Sequence, residues 1–140
     1  VCSSDLLHSG LMIAQYAAAS LASENKVLAH PASADTIPTS ANQEDHVSMG
    51  VTAGRKARTI LANTRRVLAI EWVCAAQGLE LAGELAPGTG VELGRASLRE
   101  RVRPLVGDRY LKPDLDAAEE LLLSGAPVAA VEAELGPLEA

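Results

Sequence analysis

A chain of 140 residues that is 48% apolar is long enough to bury a core, so it is one domain or a piece of a larger one. Its formal net charge of -6 offers nucleic acid or an anionic membrane surface no long-range attraction. Tyr16, Trp72 and Tyr110 are the whole aromatic content while Ala and Leu dominate, which favours packed helices over sheet; the expected class is all-α.

Residues 1–6, Val1-Cys2-Ser3-Ser4-Asp5-Leu6, match the translation of GTG TGC TCT TCC GAT CT, the end of a common short-read sequencing adapter. They are expected to be an artefact with no part in the fold. Two cysteines, Cys2 and Cys74, are too few and too far apart for a disulfide framework or a zinc ribbon, which fits a cytoplasmic chain.

From about Gly10 to Leu28 the sequence predicts a helix with apolar residues on nearly all sides, among them Leu11, Ile13, Ala14, Ala18 and Leu21. Such a helix is expected to be buried, and Pro31 to end it. At roughly half the ~20 residues of a membrane span, and interrupted by Gln15, the apolar run Leu11 to Leu21 is too short to cross a bilayer. Between His30 and Gln43 two prolines and several Ser, Thr and Asn erase any period, and this predicts a long loop. Loops of that length inside compact proteins are uncommon unless they are functional or disordered, and the hydrophobic helices on both sides argue for function.

A second helix is predicted from about Val47 to Leu85. Ile60, Val67, Cys74 and Leu81 recur every seven residues beside Leu61, Leu68, Ala75 and Ala82, forming the expected buried stripe. A coiled coil shares this spacing, but Thr64, Glu71 and Gly78 interrupt its second seam. A helix of about 35 residues would be roughly 50 Å long, more than the diameter of a domain this size, so it is expected to pack on partners outside the chain. The basic cluster Arg55, Lys56, Arg58, Arg65 and Arg66 on it is expected to be solvated or ion-paired.

Pro87 to Gly94 is expected to be a plain connection: it lacks the Gly-Lys-Ser/Thr of a phosphate loop and follows no strand. Ser97 with Glu100 suggests a capping box opening a short helix limited by Pro104. Pro113 and Asp114 open a further helix that stops at Gly125, and Pro127 and Gly136 frame the last one. The expected organisation is therefore a central long-helix region over 7–86, carrying the loop 30–50, and peripheral C-terminal helices over 87–140.

The chemistry-bearing stretch is Asn42-Gln43-Glu44-Asp45-His46, five polar residues ahead of the long helix, where the helix dipole favours anions. Helix capping by Asp45 or Ser48 explains part of it. A zinc site from His30, Glu44 and His46 would have suitable ligand types, but Glu44 and His46 are two apart and no His-Glu-x-x-His occurs.

The run Ser23-Glu24-Asn25-Lys26, His30-Pro31-Ala32-Ser33 and Ile37-Pro38-Thr39-Ser40-Ala41-Asn42-Gln43-Glu44-Asp45-His46-Val47-Ser48-Met49-Gly50 resembles a segment of the histidine ammonia-lyases. The resemblance continues more loosely through Arg55-Lys56-Ala57-Arg58, Arg66 to Glu71 and Asp108 to Asp114. It implies the C-terminal part of an all-helical homotetramer, of the ammonia-lyase and fumarase type, that converts L-histidine to urocanate. The family's electrophile, a methylidene-imidazolone, is made from an internal Ala-Ser-Gly. The Ala-Ser pairs here, Ala19-Ser20, Ala22-Ser23, Ala32-Ser33 and Ala96-Ser97, are never followed by Gly, so no cofactor is expected in this chain. The resemblance makes 30–50 an active-site loop, with Glu44 as the catalytic residue, binding substrate together with Gln43 and Asn42. Relatives acting on phenyl or phenol rings carry Asn-Gln-Asp where this chain has Gln43-Glu44-Asp45, and a carboxylate accepts an imidazole N–H with charge-assisted strength. The alternatives are an ammonia-lyase or aminomutase for another aromatic amino acid, against which Glu44 counts, and a non-catalytic helical interaction protein.

His30, Glu44 and His46 lack a fourth ligand and workable spacing, so the purified chain is expected to hold no metal. Elemental analysis after dialysis should find zinc far below one equivalent; a stoichiometric amount would restore the zinc reading.

Overall fold

A computed structural model of the chain describes residues 9–83 and 86–138, leaving residues 1–6 outside the described part. Five helices follow one another: α1 (Met12–Leu28), α2 (Gly50–Leu81), α3 (Thr89–Arg99), α4 (Lys112–Ser124) and α5 (Ala126–Leu135). No strand occurs among the described residues, so the all-α expectation holds. The 32 residues of α2 extend roughly 48 Å and form the spine of the molecule. Both α1 and α4 lie along it, while α3 packs mainly against α5.

The core is small. Ala69, Val73 and Ala76 of α2 meet Leu98 of α3, Val102 beyond it and Ala118 of α4, with Leu11, Trp72, Leu115 and Leu121 packed half-buried around them. Three of those six buried residues are alanines, which let helix backbones approach closely but bury little apolar surface each. Ion pairs across the helices supplement this packing. Glu119 of α4 meets Arg65 at 3.0 Å and Arg66 at 3.5 Å, and Glu80 of α2 meets Arg99 at 2.6 Å and Arg95 at 3.5 Å. Part of the basic cluster is thus ion-paired, as expected.

Between α3 and α4 the chain is held by side chains. Gln77 accepts from the Leu105 amide at 2.7 Å and donates to its carbonyl at 3.4 Å. Arg109 donates to Asp114 at 2.8 Å and to the carbonyls of Pro104 and Arg103 at 2.9 and 2.6 Å. Asp108 accepts the amides of Ser9 and Gly10 at 2.6 and 2.9 Å, tying the start of α1 to this link.

The punctuation of the last helices matches the sequence. Pro113 and Pro127 sit in the first turns of α4 and α5, and Gly125 and Gly136 end them with φ of 69° and 86°. Three expectations are corrected. Ser97 does not open a helix, because α3 begins at Thr89, and the Ser97 hydroxyl, inside the helix, donates back to the Leu93 carbonyl at 2.9 Å. Gly90 and Gly94 accordingly lie within α3 and not in a connection; a Cβ on Gly90 would meet Leu135 Cδ1 at 3.0 Å, so its bareness lets α5 approach. The third correction concerns burial. Within this chain Ile60, Val67 and Cys74 are only half-buried and Leu61 and Leu68 are 68% and 49% exposed, because α1 and α4 cover the face that carries Asn63, Ala69, Ile70, Val73 and Ala76. Helix α1 likewise buries only Ala14, leaving Ile13 and Tyr16 62% and 61% exposed.

Leu98 has no solvent exposure and belongs to the core cluster that α2, α3 and α4 share, so Leu98→Ala should remove transfer energy and open a cavity together. A loss of about 3 kcal/mol in urea unfolding of the chain is expected; a loss below about 1 kcal/mol would show that the core is not packed as described.

Candidate functional site

The loop between α1 and α2 is anchored at its entry and across its middle. At the entry, Lys56 of α2 donates its ammonium to the His30 carbonyl. Thr36 closes the middle: its hydroxyl donates to the Asp45 carbonyl at 3.0 Å and accepts the Val47 amide at 3.0 Å. Two opposing arms, 36–39 and 44–47, are thereby pinned together.

At the far end of those arms Thr39 and Glu44 pair as an isolated antiparallel bridge, with Thr39 N donating to Glu44 O at 2.8 Å and Glu44 N to Thr39 O at 3.3 Å. The reversal between them runs through Ser40, Ala41 and Asn42, all left-handed, with φ of 53°, 54° and 66°. A non-glycine residue there costs about 1 kcal/mol or more, least for Asn, so the turn persists because the surrounding hydrogen bonds over-determine it. The Gln43 amide adds one more, to the Ser40 carbonyl at 3.1 Å.

The three residues singled out from the sequence therefore fall on one tight reversal: Asn42 in its left-handed stretch, Gln43 leaving it and Glu44 on the closing bridge. All three are exposed. Glu44 is also held by its side chain, since the Thr39 hydroxyl donates to Glu44 Oε2 at 3.0 Å. Helix capping does not account for this cluster: the residue ahead of α2 is Met49 and no side chain caps the helix. His46 lines an open cleft of about 410 Å³ with Asp35, Thr36 and Ser48, whereas Glu44 is not among the cleft's lining residues. Among the described residues no three His, Cys, Asp or Glu side chains are grouped to hold a metal ion.

Cys74, the described thiol, is half-buried on α2, and burial pushes its pKa up, which disfavours the nucleophilic thiolate. No described helix is long and apolar enough to cross a membrane. Thr36, Thr39 and Lys56, which shape the loop, carry no sequence signal of their own. Threonine hydroxyls commonly bond nearby backbone in turns, but the spacing from Thr39 to Glu44 forms no pattern that singles either out.

The described residues thus form an all-helical frame that presents a polar, doubly pinned loop ahead of one very long helix. The family model described as aromatic amino acid lyase matches residues 2–100, and the chain belongs to that family. Within it, the chain is 67% identical over 135 residues to the histidine ammonia-lyase of Symbiobacterium thermophilum, covering 95% of this chain and 26% of that relative. The crystal structure of histidine ammonia-lyase from Trypanosoma cruzi superposes with a TM-score of 0.87 at 46% identity, over 91% of this chain and 25% of that one. Tyrosine aminomutase from Streptomyces globisporus superposes equally well, TM-score 0.88, over 99% of this chain and 26% of that one, but at 33% identity. The chain thus spans about a quarter of the length of the relatives it matches.

Proposed function

We propose that the chain is the C-terminal quarter of a cytoplasmic histidine ammonia-lyase, that its substrate is L-histidine, and that its product is urocanate. The observation that carries this reading is the 67% identity to a histidine ammonia-lyase, twice the 33% shared with the tyrosine aminomutase, combined with a carboxylate at Glu44. An imidazole N–H is a donor that a carboxylate accepts with charge-assisted strength, whereas a phenyl ring offers no donor at all. Glu44, with Gln43 and Asn42 beside it, would form one wall of the substrate site.

The exposed apolar faces support a larger assembly. Leu61 and Leu68 on α2 and Ile13 and Tyr16 on α1 are apolar surface that a monomer gains nothing by exposing, and Leu61 also lines an open groove of about 600 Å³ with Gly54, Ala57, Arg58, Ala62 and Arg65. A homotetramer of the complete protein would cover them.

The electrophile does not fit on this chain, since none of its Ala-Ser pairs is followed by Gly. Its own residues bind and orient substrate; the methylidene-imidazolone chemistry belongs to another part of the protein. The isolated chain is therefore expected to form no urocanate from L-histidine when followed by near-ultraviolet absorbance. Steady production by contaminant-free chain would overturn the division of labour.

The role of Glu44 is tested in a full-length chimera in which this chain replaces the matching quarter of the Symbiobacterium thermophilum relative. Glu44→Gln keeps shape and one acceptor while removing charge and basicity. A hydrogen bond to a charged group contributes about 1.5–3 kcal/mol, roughly 10- to 150-fold, and an acid-base role about 10²- to 10⁴-fold, so kcat/KM for histidine should fall by at least about 10-fold if Glu44 orients and at least about 100-fold if it moves a proton, with assembly intact. A lost orienting group raises KM as well, while a lost base lowers mainly kcat. Turnover within a fewfold of the parent chimera would remove Glu44 from the site.

A further inference from the structure

We infer that Thr39 is a positioning residue for Glu44, a role that rests on the reading of Glu44 as a substrate-contacting carboxylate. Thr39 touches Glu44 three times: two backbone hydrogen bonds close the turn, and the side-chain hydroxyl donates to Oε2 at 3.0 Å. The backbone pair closes the turn without the side chain. The hydroxyl contact does something different, because it acts on a carboxylate at the end of an otherwise exposed, flexible side chain.

A glutamate carboxylate on the surface samples several rotamers and rotates about its last bond almost freely. With Oε2 engaged by a donor whose own backbone is fixed, both the direction of the side chain and the plane of the carboxylate are selected. Oε1, which has no partner among the described residues, is left to accept a donor from a ligand. The hydroxyl thus pre-organises the acceptor before substrate arrives, so less conformational freedom is lost on binding. Thr39 suits the task because β-branching restricts its χ1, which a serine would leave freer.

The competing possibility is that the hydroxyl merely staples the turn. A double-substitution cycle in the full-length chimera separates the two, read as kcat/KM for histidine with assembly and melting temperature measured alongside. Thr39→Val keeps shape and branching but removes the donor, and should lower kcat/KM about 10-fold, with a raised KM contributing. Thr39→Ser restores the donor and should stay within about threefold of the parent. In the Glu44→Ala background, where no carboxylate remains to be positioned, Thr39→Val should change the residual rate less than about twofold.

If Glu44→Ala is costly but Thr39→Val is harmless, or if the Thr39→Val penalty persists undiminished beside Glu44→Ala, the positioning role is overturned while the assignment of Glu44 stands. If Glu44→Ala itself leaves turnover unchanged, the site assignment fails and the positioning role fails with it. A Thr39→Val chimera that no longer assembles, with Thr39→Ser assembling but equally slow, also counts against positioning, because a restored donor must rescue the rate.

Discussion

One buried amide governs where everything before α2 must lie. Asn63 is 2% exposed and is the buried polar side chain of the described core, and its Nδ2 donates to Glu24 at 2.8 Å and to Asn25 at 3.1 Å on α1. A buried donor left unsatisfied costs about 1–3 kcal/mol, so sliding α1 along α2 by even one turn, roughly 5.4 Å, is disfavoured in a way that alanine-rich packing alone would not ensure. Asn25 extends the contact with a weak 3.5 Å donation to Thr64. Because α1 ends at Leu28 and α2 starts at Gly50, this fixed register sets the gap that the loop spans. Lys56 on His30 and Thr36 across the arms then act on a segment whose ends are already determined.

Within that frame the reversal at 40–42 stores strain where the candidate chemistry sits. Ser40 and Ala41 are poorly suited to left-handed backbone, and the bonds that hold them there are those that involve Thr39, Gln43 and Glu44. Local strain is tolerated because several weak contacts agree. The same contacts bring Asn42, Gln43 and Glu44 to one exposed edge, and of these Asn42 is the one that left-handed backbone itself favours.

Legibility in the sequence followed how local each signal was. Pro113, Gly125, Pro127 and Gly136 act through their own backbone restrictions, and the boundaries of α4 and α5 came out where those residues put them. Signals that depend on what a residue meets were less faithful. Ser97 and Glu100 have capping-box spacing, yet the Ser97 hydroxyl finds the Leu93 carbonyl inside a helix that starts eight residues earlier. The seven-residue stripe on α2 is real as a pattern, but it marks a face left open by this chain, and the buried face includes Asn63, which no hydrophobic count would select. At the candidate site, Asn42, Gln43 and Glu44 are singled out through resemblance, while their shared reversal and the Thr39 contacts depend on a backbone pairing that no residue type announces.

The uncovered end of α2 also has a mechanical meaning. From Gly50 to Leu61 the helix buries no side chain fully, and the loop hangs from that end while the core grips the helix from Asn63 onward. That overhang is a lever roughly 18 Å long. A bend of only about 5° at its base would carry the loop about 1.5 Å, and misplacements of about 1 Å can cost a reaction 100-fold. On the proposed reading of Glu44 within a homotetramer, whatever packs against this part of α2 would set the accuracy with which Glu44 is aimed, and alignment of the loop would become a property of the assembly's stiffness.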